Sequence, residues 1–224
     1  GKSVSVLSTV SLLGDSAVVT GSVRYDGQQM IDADEAVLRQ VRGNDISFIF
    51  QEPMTSLNPL HTIERQLSES ITLHQGLVGA KARARILELL TKVGIREPET
   101  RLGAYPHQLS GGQRQRIMIA MALANQPDVL IADEPTTALD VTIQAQILEL
   151  LAELKTSEGM GLLFITHDLA IVRRIADRVC VMKDGEIVET GSTAEIFANP
   201  QHPYTQKLLN AAPSGRPAPV AEAA

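Results

Sequence analysis

Cysteine, basic charge and long apolar runs are all scarce in this sequence of 224 residues. The single cysteine, Cys180, excludes a disulfide within the chain and a cysteine-ligated iron–sulfur cluster by count alone. Because it lies in the apolar run Val179-Cys180-Val181-Met182, we predict a small core residue rather than a reactive thiol. The net charge is −6. An acidic chain has no overall basic field to attract nucleic acid, which is therefore not an expected partner.

The longest uninterrupted apolar run, Ile117 to Ala124, is far shorter than the roughly 20 residues that a membrane-spanning helix needs. The composition, 44% apolar and 21% charged, is ordinary for a globular protein of this length with a substantial core. No internal repeat is present. The sequence therefore predicts a globular protein that would serve a membrane only through a partner.

Two motifs indicate a nucleotide site. In the first, Ser110, Gly111 and Gly112 precede a helical run, where unpaired backbone N–H groups and the positive end of the helix dipole can receive a phosphate. In the second, an apolar strand from Val129 ends in Asp133-Glu134, which would bring two carboxylates to the ligand-binding edge of a parallel sheet. Either motif alone is also consistent with a plain helix cap or a solvated strand end.

Further polar residues follow the same logic. Gly1-Lys2-Ser3 fits the last three positions of the phosphate-binding loop G-x-x-x-x-G-K-[ST], so we expect an N-terminally truncated chain. In such a loop the lysine reaches the β- and γ-phosphates and the serine ligates Mg²⁺. Short apolar strands are predicted before Gln51 and before His167, which would place both side chains at the same sheet edge.

These motifs, in this order, resemble those of the ATPase subunits of ABC transporters, for which Leu-Ser-Gly-Gly-Gln is a highly specific signature. The resemblance implies an α/β P-loop NTPase fold with a mostly parallel core sheet, a small antiparallel β part and an inserted α-helical lobe. It implies ATP and Mg²⁺ as cofactors. The predicted division is 1–52 for the N-terminal part of the ATP-binding core, 53–126 for the helical lobe, 127–198 for the rest of the core and 199–224 for a C-terminal segment with a flexible tail.

The resemblance also implies roles for individual residues. The catalytic set is Glu134, which polarises the attacking water, together with His167 and Gln51. The nucleotide-binding set is Gly1, Lys2, Ser3, Ser110, Gly111, Gly112, Gln113 and Asp140. The metal-binding set is Ser3, Gln51 and Asp133. Because each motif occurs once, ATP held by one subunit would be covered by the Ser-Gly-Gly turn of another.

Two segments are similar to those of the peptide and nickel importers, the dipeptide and oligopeptide group. The segment from Gln51 to Pro59 has the prolines and small polar residues of a stiff, exposed docking loop. The segment Asn199 to Leu209 contains His202-Pro203-Tyr204-Thr205, which we interpret as a proline-bounded helix start without chemistry of its own.

The implied partners are a second ATPase subunit, identical or related, integral membrane permease subunits and, indirectly, a solute-binding protein. The implied location is peripheral, on the cytoplasmic face of the bacterial inner membrane. Two alternatives are a soluble ABC ATPase that takes no part in transport and a fragment impaired in nucleotide binding.

Local patterns add three expectations. Val19 to Gly27 is predicted to be a strand that closes in an Asp-Gly turn, Thr62 to Val93 to be helical, and Val179 to Thr190 to be a hairpin.

Overall fold

The computed structural model describes residues 1–14, 16–51 and 56–211. Contacts divide the chain into two units: Ser3–Ile165, and Gly1–Lys2 with the described residues from Thr166 onward. Part of the predicted docking loop, residues 52–55, and the predicted tail from Ala212 lie outside the described residues. Within the described ranges, no helix is both long enough and apolar enough to span a membrane.

The larger unit contains a parallel sheet formed by β3 (Ile46–Ile49), β4 (Val129–Asp133) and β5 (Gly161–Ile165), in the order β3-β4-β5 among the described residues. In β4 every residue after the first is buried, as expected for a central strand with both faces covered. The register pairs Ile49 with Ala132 and Asp133 with Ile165. The predicted α/β class with a parallel core sheet is confirmed.

The small antiparallel part is shorter than predicted. Over the described residues 16–30, the paired strands are β1 (Arg24–Tyr25) and β2 (Gln28–Gln29), around a turn at Asp26 (φ 47°) and Gly27 (φ 77°). The expectation of a strand from Val19 was therefore wrong at its start. The preceding Gly21 has φ 110°, a conformation that a continuous strand does not adopt.

Among the described residues up to Ile165, the helices are Lys2–Ser8, Glu35–Val41, Ile63–Gln75, Gly79–Lys92, Pro98–Arg101, Gly111–Ala122 and Val141–Ser157, with a 3₁₀ turn at Pro106–Gln108. The helical prediction for Thr62 to Val93 is confirmed, with one break. Thr62 accepts a hydrogen bond from the Arg65 N–H to cap the first helix, and Gly76 ends that helix in the left-handed conformation. The fully buried Ile63, Leu67 and Ile71 pack in the same core as Ile86, Leu89 and Leu90.

The smaller unit contains the helix Leu169–Ile175, the antiparallel pair β6 (Arg178–Lys183) and β7 (Glu186–Ser192), and the helices Thr193–Ala198 and Pro203–Ala211. The predicted hairpin and the helix start at Pro203 are confirmed.

The expectation for Cys180 was wrong, because this side chain is exposed, with its Sγ 3.4 Å from Thr190 Oγ1. Residues along β6 alternate between exposed and half-buried up to Val181, so a continuous apolar run did not imply that both faces are covered.

Candidate nucleotide site

The parallel pair β3 and β4 brings two of the predicted site residues together. Gln51 follows β3 and Glu134 follows β4, and Gln51 Nε2 donates a hydrogen bond of 3.3 Å to Glu134 Oε2. The two residues are 83 positions apart in the sequence. Their contact exists because parallel neighbouring strands end at the same edge of the sheet.

Glu134 is held in an unusual backbone conformation at this edge. Its φ is 46°, in the left-handed region that residues other than glycine rarely adopt, and its N–H donates to the Ile165 carbonyl at 2.9 Å. Such a conformation costs about 1–3 kcal/mol and persists only when the surrounding structure holds it in place. It turns the chain out of the strand directly after Asp133.

Thr137 also contacts Glu134 and was missed by the sequence reasoning. Its Oγ1 donates 3.0 Å to Glu134 Oε2, the oxygen that also accepts from Gln51, and its N–H donates to the Glu134 carbonyl. The available signal was a hydroxyl residue three positions after a strand-terminal acid, at the spacing of a tight turn. Two donors on one oxygen hold the carboxylate in a single orientation.

Asp133 is the last residue of β4 and is only 8% exposed, unlike the adjacent Glu134. Among the residues that the structure describes, no group of three or more His, Cys, Asp or Glu side chains could hold a metal ion. The donors predicted from the sequence are the Ser3 hydroxyl, the Gln51 amide oxygen and the Asp133 carboxylate. One carboxylate with neutral oxygens fits Mg²⁺, which is commonly bound together with substrate phosphates rather than in an all-protein cage.

The Ser-Gly-Gly turn is a complete capping box at the start of the helix Gly111–Ala122. Ser110 Oγ accepts from the Gln113 N–H at 3.3 Å, and Gln113 Oε1 accepts from the Ser110 N–H at 3.0 Å. The N–H groups of Gly111 and Gly112 lie in the first helical turn, where no intrahelical acceptor exists. The turn is therefore suited to receive an anion.

Asp140 caps a second helix, Val141–Ser157, by accepting from the Ile143 N–H at 2.9 Å. The Ser-Gly-Gly turn packs against this helix start: Gly111 lies beside Leu139 and Gly112 beside Ile143. Two predicted nucleotide-contacting turns are thus neighbours.

The remaining predicted residues belong to the smaller unit. Lys2 Nζ donates 3.1 Å to the carbonyl of Thr166, the residue before the exposed His167. Asp168, also missed by the sequence reasoning, accepts from the Ala170 N–H at 2.8 Å and caps the helix Leu169–Ile175. An aspartate directly before an apolar helical run was the available signal.

Comparison with known protein families gives two matches. Residues 1–137 match the family described as ABC transporter. Residues 188–220 match the oligopeptide/dipeptide transporter C-terminal region. The second match covers β7 from Val188 and the helix Pro203–Ala211.

Three relatives illustrate the similarity. The chain is 65% identical to the peptidoglycan transport ATP-binding protein YejF of Agrobacterium fabrum, over 97% of this chain and 40% of that protein. It is 57% identical to an uncharacterized ABC transporter ATP-binding protein, YejF, of Escherichia coli, over 100% of this chain and 43% of that one. It is 55% identical to the glutathione import ATP-binding protein GsiA of Salmonella typhimurium, over 95% of this chain and 35% of that protein. The chain spans less than half the length of these relatives.

Among solved structures, the chain is similar to the ATP-binding cassette MJ0796 in a dimeric, post-hydrolysis state bound to ADP and Pi. The identity is 33% and the TM-score 0.73, covering 86% of this chain and 81% of that one. With the family match across residues 1–137 and this structural likeness, the chain belongs to the ABC transporter family and carries its ATP-binding domain.

Proposed function

We propose that this chain hydrolyses ATP to drive an importer of peptides or related solutes. The observation that carries the proposal is the hydrogen-bonded arrangement of Gln51, Glu134 and Thr137 at the carboxyl edge of the parallel sheet. The match to the oligopeptide/dipeptide transporter C-terminal region supports the solute class, as does the similarity to relatives named for peptidoglycan transport and glutathione import.

Glu134 acts as the general base or orienting group for the water that attacks the γ-phosphate. Phosphoryl transfer needs little covalent chemistry from the protein, so positioning of this carboxylate is the main requirement. Gln51 and Thr137 both donate to its Oε2, which fixes its orientation without neutralising its charge. Its left-handed backbone holds it clear of the strand that ends at Asp133.

Ser3, Gln51 and Asp133 would hold Mg²⁺, which would neutralise charge on the triphosphate when bound. The Gln51 amide suits both tasks, since it donates through Nε2 to Glu134 and carries an oxygen for the metal. Gly1 and Lys2 would contact the β- and γ-phosphates, and His167 the γ-phosphate. The hydrogen bond from Lys2 to the Thr166 carbonyl would then be exchanged for one to phosphate.

A second ATPase subunit would complete the site with Ser110, Gly111, Gly112, Gln113 and Asp140. Its contribution is a helix N-terminus whose backbone N–H groups and dipole favour an anion. The likeness to a dimeric cassette supports such a pair. Nucleotide binding would join the two subunits, and hydrolysis would release them.

The same proposal includes the division predicted from the sequence: an ATP-binding core formed by 1–52 and 127–198, a helical lobe at 53–126 and an importer-type segment at 199–224. The loop after Gln51 would pass the motion to integral membrane permease subunits on the cytoplasmic face of the inner membrane. A solute-binding protein would select the cargo.

The test is affinity purification of the full-length protein from gently solubilised bacterial membranes, followed by reconstitution in vesicles. We expect a polytopic membrane protein to copurify, and peptide added with a solute-binding protein to raise Mg-ATP hydrolysis. Hydrolysis in a preparation that contains ribosomes or DNA but no membrane protein would instead support a soluble ATPase that takes no part in transport.

A further inference from the structure

The starts of two helices approach each other unusually closely in the larger unit. A Cβ atom added to Gly112 would lie 2.8 Å from Ile143 Cγ2 and 3.6 Å from Ile143 Cδ1. Carbon atoms in contact normally lie about 3.5–4.0 Å apart. Alanine at position 112 therefore cannot fit unless the two helix starts move apart.

Ile143 has little freedom to move aside. The Cγ2 methyl is bonded directly to Cβ, and a β-branched residue in a helix has one strongly preferred χ1 rotamer. The backbone of Ile143 is also fixed, since its N–H donates to Asp140 Oδ1 at 2.9 Å. The close approach thus links the Asp140 turn to the Ser-Gly-Gly turn through one side chain.

The backbone of Gly112 does not itself require glycine. Its φ is not positive, and it lies inside the helix Gly111–Ala122, where alanine is intrinsically favoured over glycine. The reason for glycine at this position must therefore come from its surroundings. Two such reasons exist: the packed Ile143 side chain and the approach of a nucleotide in the proposed function.

We propose that Gly112 is glycine because Ile143 occupies the space of its side chain, and that Ile143 is the residue that positions the Ser-Gly-Gly turn relative to Asp140. The packing of Ile143 against Gly112 is argued from the distances between these two residues alone. Its consequence for turnover rests on the proposed function: the two turns that would cover the nucleotide of a second subunit move as one body.

The experiment compares Gly112→Ala in three backgrounds of the full-length protein: unchanged, Ile143→Ala and Ile143→Val. The valine keeps a methyl where Cγ2 stands, whereas the alanine removes it. In the unchanged and valine backgrounds we expect Gly112→Ala to lower kcat about tenfold or more and Tm by about 3 °C. In the alanine background the same change should raise Tm, and its loss of kcat should be smaller than in the unchanged background.

Ile143→Leu provides a second background if Ile143→Ala does not fold, because leucine keeps the volume and lacks a branch at Cβ. Equal loss of kcat from Gly112→Ala in every background, with Tm unaffected in each, would overturn the proposal in favour of nucleotide approach. If the unchanged protein hydrolyses no ATP, the proposed function fails. In that case the packing is still tested by Tm, which Gly112→Ala should lower in the unchanged background and raise in the Ile143→Ala background.

Discussion

The Glu134 cluster and the Ser-Gly-Gly turn are two polar arrangements built in different ways. The Glu134 carboxylate is held by Gln51, 83 positions away, and by Thr137. The Ser110 turn closes on itself, with both of its cap hydrogen bonds reaching only three residues. The first depends on how strands align in the sheet, whereas the second is complete within one helical turn.

The backbone conformations of Glu134 and Ser110 also differ. Glu134 has φ 46°, a strained value, whereas Ser110 has φ −65° and ψ 161°, the ordinary conformation of a helix cap. A strained backbone conformation persists only where the surrounding contacts hold it in place. The comparison therefore predicts that changes at Glu134 affect chemistry foremost, while changes at Ser110 affect stability as well as nucleotide contact.

The largest effect is expected at Glu134 itself. Glu134→Gln keeps the shape of the side chain and removes the proposed base, so kcat should fall by about 10²–10⁴-fold. The ATP-bound dimer should accumulate, since hydrolysis no longer releases it. Phosphate release and light scattering with size-exclusion chromatography in Mg-ATP measure the two effects. Glu149→Gln, at an exposed position on the helix Val141–Ser157, is the control. Undiminished turnover in Glu134→Gln would remove this residue from the role.

Thr137 tests how much the local hydrogen bond to the acid contributes beside the long-range one from Gln51. Thr137→Val removes the hydroxyl that donates to Glu134 Oε2, and we expect kcat to fall about tenfold, the size of one hydrogen bond to a charged group. The KM for ATP should change little. Thr137→Ser keeps the donor and should stay within about twofold of the unchanged protein. Equal turnover in the valine and serine variants would show that Gln51 alone suffices.

Two substitutions of Ser110 distinguish its role as a helix cap from its proposed contact with the nucleotide. Ser110→Ala should cost about 0.5–2 kcal/mol of stability through loss of the cap, seen as a lower Tm in thermal unfolding. Ser110→Asp caps a helix equally well but places a negative charge where phosphate is proposed to bind, so Tm should recover and ATP hydrolysis should not. Full hydrolysis by the aspartate variant would exclude the turn from contact with phosphate.

Glu189 lies between these two cases, since its backbone N–H partners are 12 and 13 residues away, and the smallest effect is expected there. The Thr205 hydroxyl first, and then the N–H groups of Gln201 and His202, hold the pKa of Glu189 below its ordinary value. A lowered pKa in the folded state means that the stabilisation is fully present above the unfolded-state pKa, about 4.5, and is lost as pH falls through the folded-state pKa.

Amide exchange in the helix Pro203–Ala211 measures this effect. At pH 7 the helix of Glu189→Gln should exchange faster than that of the unchanged protein, and the difference should disappear below the lowered pKa. A ratio of exchange rates that is constant with pH would show that the carboxylate does not anchor the helix.

Several features followed from local sequence because their causes are local. The helix start at Gly111 comes from a serine cap with glutamine three residues later, and the end of β4 comes from an apolar run followed by Asp133-Glu134-Pro135. The same reasoning failed for Cys180, since an apolar run does not tell which strand face is covered.

The sequence by itself determined the family, the order of the motifs and several element ends, such as the helix start at Gly111 and the end of β4, because capping, turn chemistry and apolar periodicity act within a few residues. Only the tertiary structure decided that Gln51 and Thr137 share one oxygen of Glu134, and that Ile143 fills the place of a Gly112 side chain. The contact of Gln51 with Glu134 and that of Ile143 with Gly112 depend on distances between segments far apart in the chain. Sheet register and helix packing set those distances, and no local pattern encodes them.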